Sequence, residues 1–281
     1  MTKPFSKLLL QLSVLGRMAA QLPPQGLLPL IVVLVLWQIL QTGNSPYFPP
    51  PSAWWNGLVQ IAAGGKLFVA CGATLKTIVA GLALAMIAGI ALGVLIGTSP
   101  RAARALGPLL EFCRAMPPPA IVPLAILFLG YDERMKLTIV ALSAMWPISL
   151  NTSSAIQHIH PLLLDVSTSF HLSLFERVRL IIVPSVVPAI LLGIRIALPL
   201  TIVLTLLMEI LTSIEGIGAL MISAQRNFQS GQVYGLLVLV GLFGFVINNA
   251  FSIAPCGAGH QGAFRYDGAR GFQTSSSGRR N

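Results

Sequence analysis

Few side chains in this 281-residue sequence are placed to do chemistry. Glu209 is the one acidic residue set well inside an apolar run, where an ionisable group is a functional candidate by default. Thr212, Ser213 and Glu215 follow at once, which favours a carboxylate at the outer headgroups over one deep in the membrane. Downstream of Pro147, the run Ser149, Asn151, Thr152, Ser153 and Ser154 is polar where lipid contact would demand apolar residues. It fits either the lining of a solute path, with Ser149, Asn151, Thr152 and Glu209 as candidates, or hydrogen bonding between helices. His158-x-His160 has no third ligand, and Cys71, Cys113 and Cys256 lack the spacing of a zinc site or a disulfide framework. They read as small buried apolar residues. Gly64-Gly65-Lys66 lacks the earlier glycine and the following hydroxyl of a phosphate loop. No nucleophile, base and orienting group converge, so neither catalytic residues nor a bound metal or cofactor are expected in this chain.

The elements that must position these residues are membrane helices. Hydrophobic residues make up 55% of the chain and charged residues 9%, against roughly 25% in a soluble domain. With a mean hydropathy of +0.81, such a chain cannot clothe a water-soluble surface. The net charge of +10 is scattered between apolar runs rather than gathered on one face, which argues against nucleic acid as a partner. Apolar spans at 27–41, 69–97, 112–130, 136–155, 186–212 and 234–254 predict an all-α membrane protein of about six crossings. Basic residues collect on one side, at Lys3, Lys7, Arg17, Arg101, Arg104, Arg114, Arg177, Arg179 and the C-terminal arginines. The other side holds only Lys66, Arg134, Lys136 and Arg226, so both termini are expected in the cytoplasm. Lys76 and Arg195 fall within spans near the boundary, where long stems snorkel. Residues 1–26 read as a cytoplasmic or interfacial segment, 27–254 as the transmembrane domain, and the Gly-, Ser- and Arg-rich 255–281 as a disordered tail. The abrupt change of composition at Cys256 is expected of a shifted reading frame or a dispensable extension.

In the second span Gly81, Ala85, Gly89, Gly93 and Gly97 recur every four residues, a strip against which another helix can pack closely. Pro117, Pro118, Pro119 and Pro123 open the third span and Pro147 sits inside the fourth, each removing a helical hydrogen bond. Irregular backbone survives there only where protein or a water-filled cavity satisfies the freed carbonyls, so these helices should face the bundle interior.

The loop 157–183 reads as two short helices. The first covers 160–170, and Ser173-Leu174-Phe175-Glu176 fits a capping box that starts the second at Leu174. Between them the chain must turn sharply, with a left-handed backbone at His171. Phe170, Leu172, Leu174 and Phe175 around the turn form an apolar knob, offered to a partner or packed on the chain's own bundle.

The spacing of this loop resembles the signature of binding-protein-dependent ABC importer permeases, whose pattern is Glu-Ala-Ala, three residues, Gly, then Leu-Pro. Asp165, Val166 and Ser167 stand for the triplet, His171 for the glycine and Val183-Pro184 for the Leu-Pro. Similarity to the nitrate, taurine and aliphatic sulfonate branch lies in Pro108-Leu109-Leu110-Glu111-Phe112, in the segments around Pro117 to Leu124 and Trp146 to Thr152, and in Glu215-Gly216-Ile217-Gly218. The resemblance implies a type I, MetI-like bundle in a bacterial inner membrane, moving a small anion by alternating access. It implies that Asp165, Val166, Ser167, Phe170, His171, Leu172, Ser173, Phe175 and Glu176 form the loop that couples to a cytoplasmic ATP-binding subunit, which binds ATP and Mg. It also implies a solute-binding protein and a second permease copy as partners. His171 in place of the glycine is expected to weaken coupling without abolishing it. An ion-coupled secondary transporter is the alternative, and Glu209 with the proline-rich spans is what it would use.

Overall fold

The structure is a computed structural model that describes residues 24–41 and 47–253, and the readings of the N-terminal segment before Pro24 and of the tail lie outside it. Every regular element among the described residues is a helix. In chain order they are α1 (Pro24–Leu40), α2 (Pro51–Ala63), α3 (Lys66–Thr98), α4 (Pro100–Ala115), α5 (Pro118–Leu129), α6 (Glu133–Gln157), α7 (Pro161–Ser169), α8 (Leu174–Arg177), α9 (Val183–Thr212), α10 (Ile217–Arg226) and α11 (Ser230–Ile253). A π-helical turn, Val178–Ile182, joins α8 to α9.

Four helical stretches among these are long and apolar enough to cross a membrane: Lys66–Thr98, Glu133–Gln157, Leu174–Thr212 and Ser230–Asn249. The first predicted span is a helix of 17 residues. At 1.5 Å per residue it covers about 26 Å, short of the roughly 30 Å hydrocarbon core. The third predicted span, 112–130, is not one straight crossing: α4 and α5 meet at a bend of 101°. Pro117, Pro118 and Pro119 are the cause. Each lacks an amide donor, and Pro117 and Pro118 force the residues before them out of the helical region: Met116 and Pro117 are both extended, with ψ of 126° and 129°. Ser99, whose hydroxyl accepts from the Ala102 amide at 3.2 Å, starts α4 against Pro100.

The second short helix of the loop and the fifth span are not separate elements: α8, the π turn and α9 run on continuously from Leu174 to Thr212, with Pro184 and Pro188 inside the stretch. The turn is wide enough for the Val183 amide to reach back to the Val178 carbonyl, which makes room for the Pro184 ring that an α-helical pitch would push into the preceding turn.

The bundle is built around α6, with α3 on one side and α9 on the other. The expected strip of small residues is the contact surface. A Cβ added at Gly89 would lie 2.7 Å from the Met145 carbonyl oxygen, one at Gly93 2.6 Å from Thr152 Cβ, and one at Gly97 2.8 Å from Ile156 Cβ. From the other side Gly193 of α9 comes as close, 2.9 Å from Ile148 Cα. Leu82, Ala85, Ala144, Ile148, Ile194, Ala197 and Leu198 form the core between the three helices. A smaller layer seats α2 on α11, where a Cβ at Gly57 would meet the Gln232 backbone and one at Gly235 the Trp54 carbonyl. Trp54 and Tyr234 stack at 5.4 Å across it, with Trp37 of α1 edge-on to both. Leu127 and Phe128 of α5 are about four-fifths exposed, as an apolar surface turned to lipid or to another membrane chain would be.

The seam between α3 and α6 can be tested directly. Gly93→Leu should destabilise the detergent-solubilised protein by about 1–3 kcal/mol or more, as overpacking does, lowering its thermal unfolding temperature. Gly72→Leu on the same helix, where a side chain meets open space, should leave it unchanged. Equal losses at the two positions would show that the glycine strip is not the contact.

Candidate functional site

The elbow between α6 and α9 is built almost wholly from local signals. Pro161 sits in the first turn of α7, and the ring Nδ1 of His160 accepts from the Leu162 amide. At the other end the Leu172 amide donates to the Ser167 carbonyl and the His171 amide to that of Thr168, each at 3.0 Å. This pair of bonds is a Schellman motif, and it needs a left-handed residue at His171, whose φ is +49°. The expected turn is therefore present, with histidine where glycine is the usual occupant. Ser173 and Glu176 then form the predicted capping box: the serine hydroxyl accepts from the Glu176 amide and the glutamate accepts from the Ser173 amide at 2.9 Å.

Around this turn Phe170, Leu174 and Phe175 are each more than seven-tenths exposed, Leu172 is half-buried, and α7 has no extensive packing against the bundle. Of the two readings of the knob, packing against the chain's own helices is not what the fold shows. Asp165 and Val166 lie on exposed positions of α7 and Ser167 is buried, its carbonyl held by the Leu172 amide.

The four candidates for a solute path do not share a site. Ser149 and Thr152 are buried in the seam under Gly93, and the Thr152 hydroxyl donates to the Ile148 carbonyl at 2.7 Å. Asn151, one position round the helix, donates to the Pro147 carbonyl and lines a cavity in the crook of the α4–α5 bend. Glu209 belongs to neither place.

Glu209 is fully buried, one turn before the end of α9 at Thr212. The Thr74 hydroxyl of α3 reaches both carboxylate oxygens at 3.0 Å, and the Gly218 amide donates to Oε2 at 3.0 Å. Lys136 of α6 stands 3.4 Å from Oε1, and its Nζ also donates to the Glu215 carbonyl at 3.0 Å. Lys136, the first residue of the fourth predicted span, is 1% exposed and paired. The Ile217 amide donates to Thr74 Oγ1, so Thr74 and Glu209 together satisfy the first free amides of α10, where a negative charge also meets the positive end of the helix dipole.

The glycines of Glu215-Gly216-Ile217-Gly218 are required by this knot. A Cβ on Gly216 would overlap the Glu209 carboxylate itself, and one on Gly218 would come within 2.7 Å of both Glu209 Cβ and the Leu206 carbonyl. Thr74 carries no sequence signal of its own. The glycine pair shortly after a lone intramembrane glutamate is the signal that could have placed Glu209 against a backbone turn.

Removing one member of a buried, hydrogen-bonded pair strands the other charge, at a cost of about 3–5 kcal/mol. Lys136→Met should lose that much in thermal unfolding of the solubilised protein, and adding Glu209→Gln should restore a large part of it. Strictly additive losses in this cycle would mean that the two groups do not interact.

Residues 85–254 match the family described as binding-protein-dependent transport system inner membrane component. The chain is similar to the putative aliphatic sulfonates transport permease protein SsuC of Bacillus subtilis (strain 168), 27% identical over 78% of this chain and 81% of that protein. It is also similar to the bicarbonate transport system permease protein CmpB of Synechocystis sp., 28% identical over 82% and 86% of the two chains. The nitrate import permease protein NrtB of Leptolyngbya laminosa is 29% identical over 77% of this chain and 81% of its own. Matched through the seam, the elbow and the Glu209 knot, the chain belongs to the binding-protein-dependent ABC importer permeases, in the branch that includes the nitrate and sulfonate permeases, and is a multi-pass protein of the bacterial inner membrane.

Proposed function

We propose that this chain is the transmembrane subunit of an ATP-driven importer and moves a small anion by alternating access, using the elbow as the point where a separate ATPase subunit takes hold. The observation that carries this reading is the elbow itself. Three large apolar side chains stand in the open on a turn fixed at both ends, by the Schellman motif and by the capping box. A rigid apolar knob is what a groove on another protein can grip, because little ordering remains to be done on binding. ATP and Mg belong to that partner, and a solute-binding protein and a second copy of this chain complete the assembly.

The names of the relatives, which cover sulfonates, bicarbonate and nitrate, support a small anion as the solute. The membrane carboxylate that an ion-coupled carrier would load and unload is engaged here: Glu209 holds a lysine, a hydroxyl and a backbone amide. That favours the ATP-driven reading.

In membranes containing the whole transporter, Leu174→Cys and Phe175→Cys should each cross-link to the ATPase subunit, whereas Leu127→Cys on α5 should not. His171→Gly removes a left-handed residue that costs roughly 1 kcal/mol and should couple ATP hydrolysis to uptake at least as tightly as the parent. Absence of any elbow cross-link in intact cells would refute the proposal.

A further inference from the structure

α2 carries no charged residue, yet its surface is sharply divided. Gly57 is buried, whereas Trp55, Asn56, Val59 and Gln60 are all exposed. At about 100° per residue, Trp55 and Val59 fall on one flank of the exposed face and Asn56 and Gln60 on the other. A face that is half apolar and half polar suits neither open water nor the interior of a bilayer.

The seating of α2 on α11 fixes which flank lies deeper. A Cβ on Gly231 would lie 2.9 Å from the Ala53 carbonyl oxygen, and one on Gly57 2.8 Å from the Gln232 amide nitrogen. One turn further along α11, a Cβ on Gly235 would lie 2.6 Å from the Trp54 carbonyl oxygen and 2.8 Å from Leu58 Cγ. It is thus the width of α2, not its length, that is laid along α11, and the two helices cross steeply. Since α11 is among the stretches able to cross the membrane, α2 lies near the membrane plane. Its ends agree. The Ser52 amide donates to Gln38 Oε1 at 3.1 Å, close to the end of α1 at Leu40. Gly64 and Gly65, the latter left-handed at φ +72°, turn the chain from Ala63 straight into α3. Going round α2 from Leu58 and away from α11, the next side chains are Trp55 and Val59; from Ala53 they are Gln60 and Asn56. The apolar flank therefore faces the membrane centre and the polar flank faces outward. Tyr234, stacked on Trp54, stands one turn into α11, about 6 Å from its start.

We propose that α2 is an interfacial helix, lying between the headgroups and acyl chains of the leaflet opposite the elbow, with Trp55 and Val59 in lipid and Asn56 and Gln60 in water. Its partner is the lipid surface, held by apolar burial and by a tryptophan at the depth such side chains favour. Phe68 and Val69 of α3 and Leu237 and Val238 of α11, the two helices it packs against, are exposed as well and continue the apolar surface. With no charge on α2, the hold is independent of anionic headgroups.

The test uses the full chain with Cys71→Ser, Cys113→Ser and Cys256→Ser, reconstituted in phosphatidylcholine vesicles. A nitroxide is attached at one position at a time through Trp55→Cys, Asn56→Cys, Val59→Cys or Gln60→Cys. All four side chains are exposed, so the label displaces no core packing. Power saturation compares oxygen, which gathers in lipid, with a water-soluble nickel chelate. Labels at 55 and 59 should report a depth of roughly 5–10 Å below the phosphates, with an oxygen-to-nickel ratio several-fold above that at 56 and 60. Adding phosphatidylglycerol should leave the contrast unchanged. Independently of the labels, the tryptophan emission lost in Trp55→Phe should be quenched best by lipids brominated near the carboxyl end of their chains, and best quenching by bromines at the chain ends would overturn the proposal. Four equally lipid-exposed labels would make α2 a crossing helix, and four equally water-exposed ones a helix standing clear of the membrane; either result overturns it. So does shielding of 55 and 59 from both reagents, which would put another protein chain over that flank, or a contrast that appears only with phosphatidylglycerol.

Discussion

Backbone-to-backbone approach of α6 to two neighbours is the constraint on which this bundle depends. Lipid tails are as apolar as leucine, so burial alone gives membrane helices little reason to choose one another, and close van der Waals packing must supply it. Gly89, Gly93 and Gly97 on one flank and Gly193 on the other allow that approach. The ion pair at the far end of the same helices follows from it. Lys136 and Glu209 lose their water only because α3, α6 and α9 are already close, and their attraction in that setting roughly balances the cost of dehydration. What the knot adds is register: a lysine, a threonine, a carboxylate and two backbone amides from four helices meet at one depth only.

The two ends of the molecule differ in how their polar and apolar groups are satisfied. At the knot, buried polar atoms from distant parts of the chain answer one another. At the elbow the turn and capping hydrogen bonds are local, between residues at most five apart, and Phe170, Leu174 and Phe175 are left uncovered. A segment with few tertiary contacts opens at a lower free energy than a packed core. The elbow is thus firm in its own turn geometry and loosely held by the rest of the chain.

This contrast also explains what could be read from the sequence. The capping box, the left-handed residue at His171 and the four-residue glycine repeat are short-range patterns, and each is found where its pattern lies. The prolines at 117–119 announced irregular backbone, but whether it would be a kink in one crossing or a right-angled bend depends on what α6 and α9 place opposite. The π turn was illegible for a related reason, since Pro184 is as compatible with a helix start as with a widened turn inside a longer helix. The pairing of Glu209 with Lys136 and Thr74 was not legible, because composition near a residue does not reveal a partner 73 positions away, nor one at 135.

Because the π turn keeps α8 and α9 in one line, the elbow and the Glu209 knot are the two tips of a single strut of 39 residues. At the helical rise that strut is about 58 Å long, so a swing of only about 5° at one tip displaces the other by roughly 5 Å. The five widened residues 178–182 lie close to the elbow end of that strut, so a change of pitch within them would swing nearly its whole length.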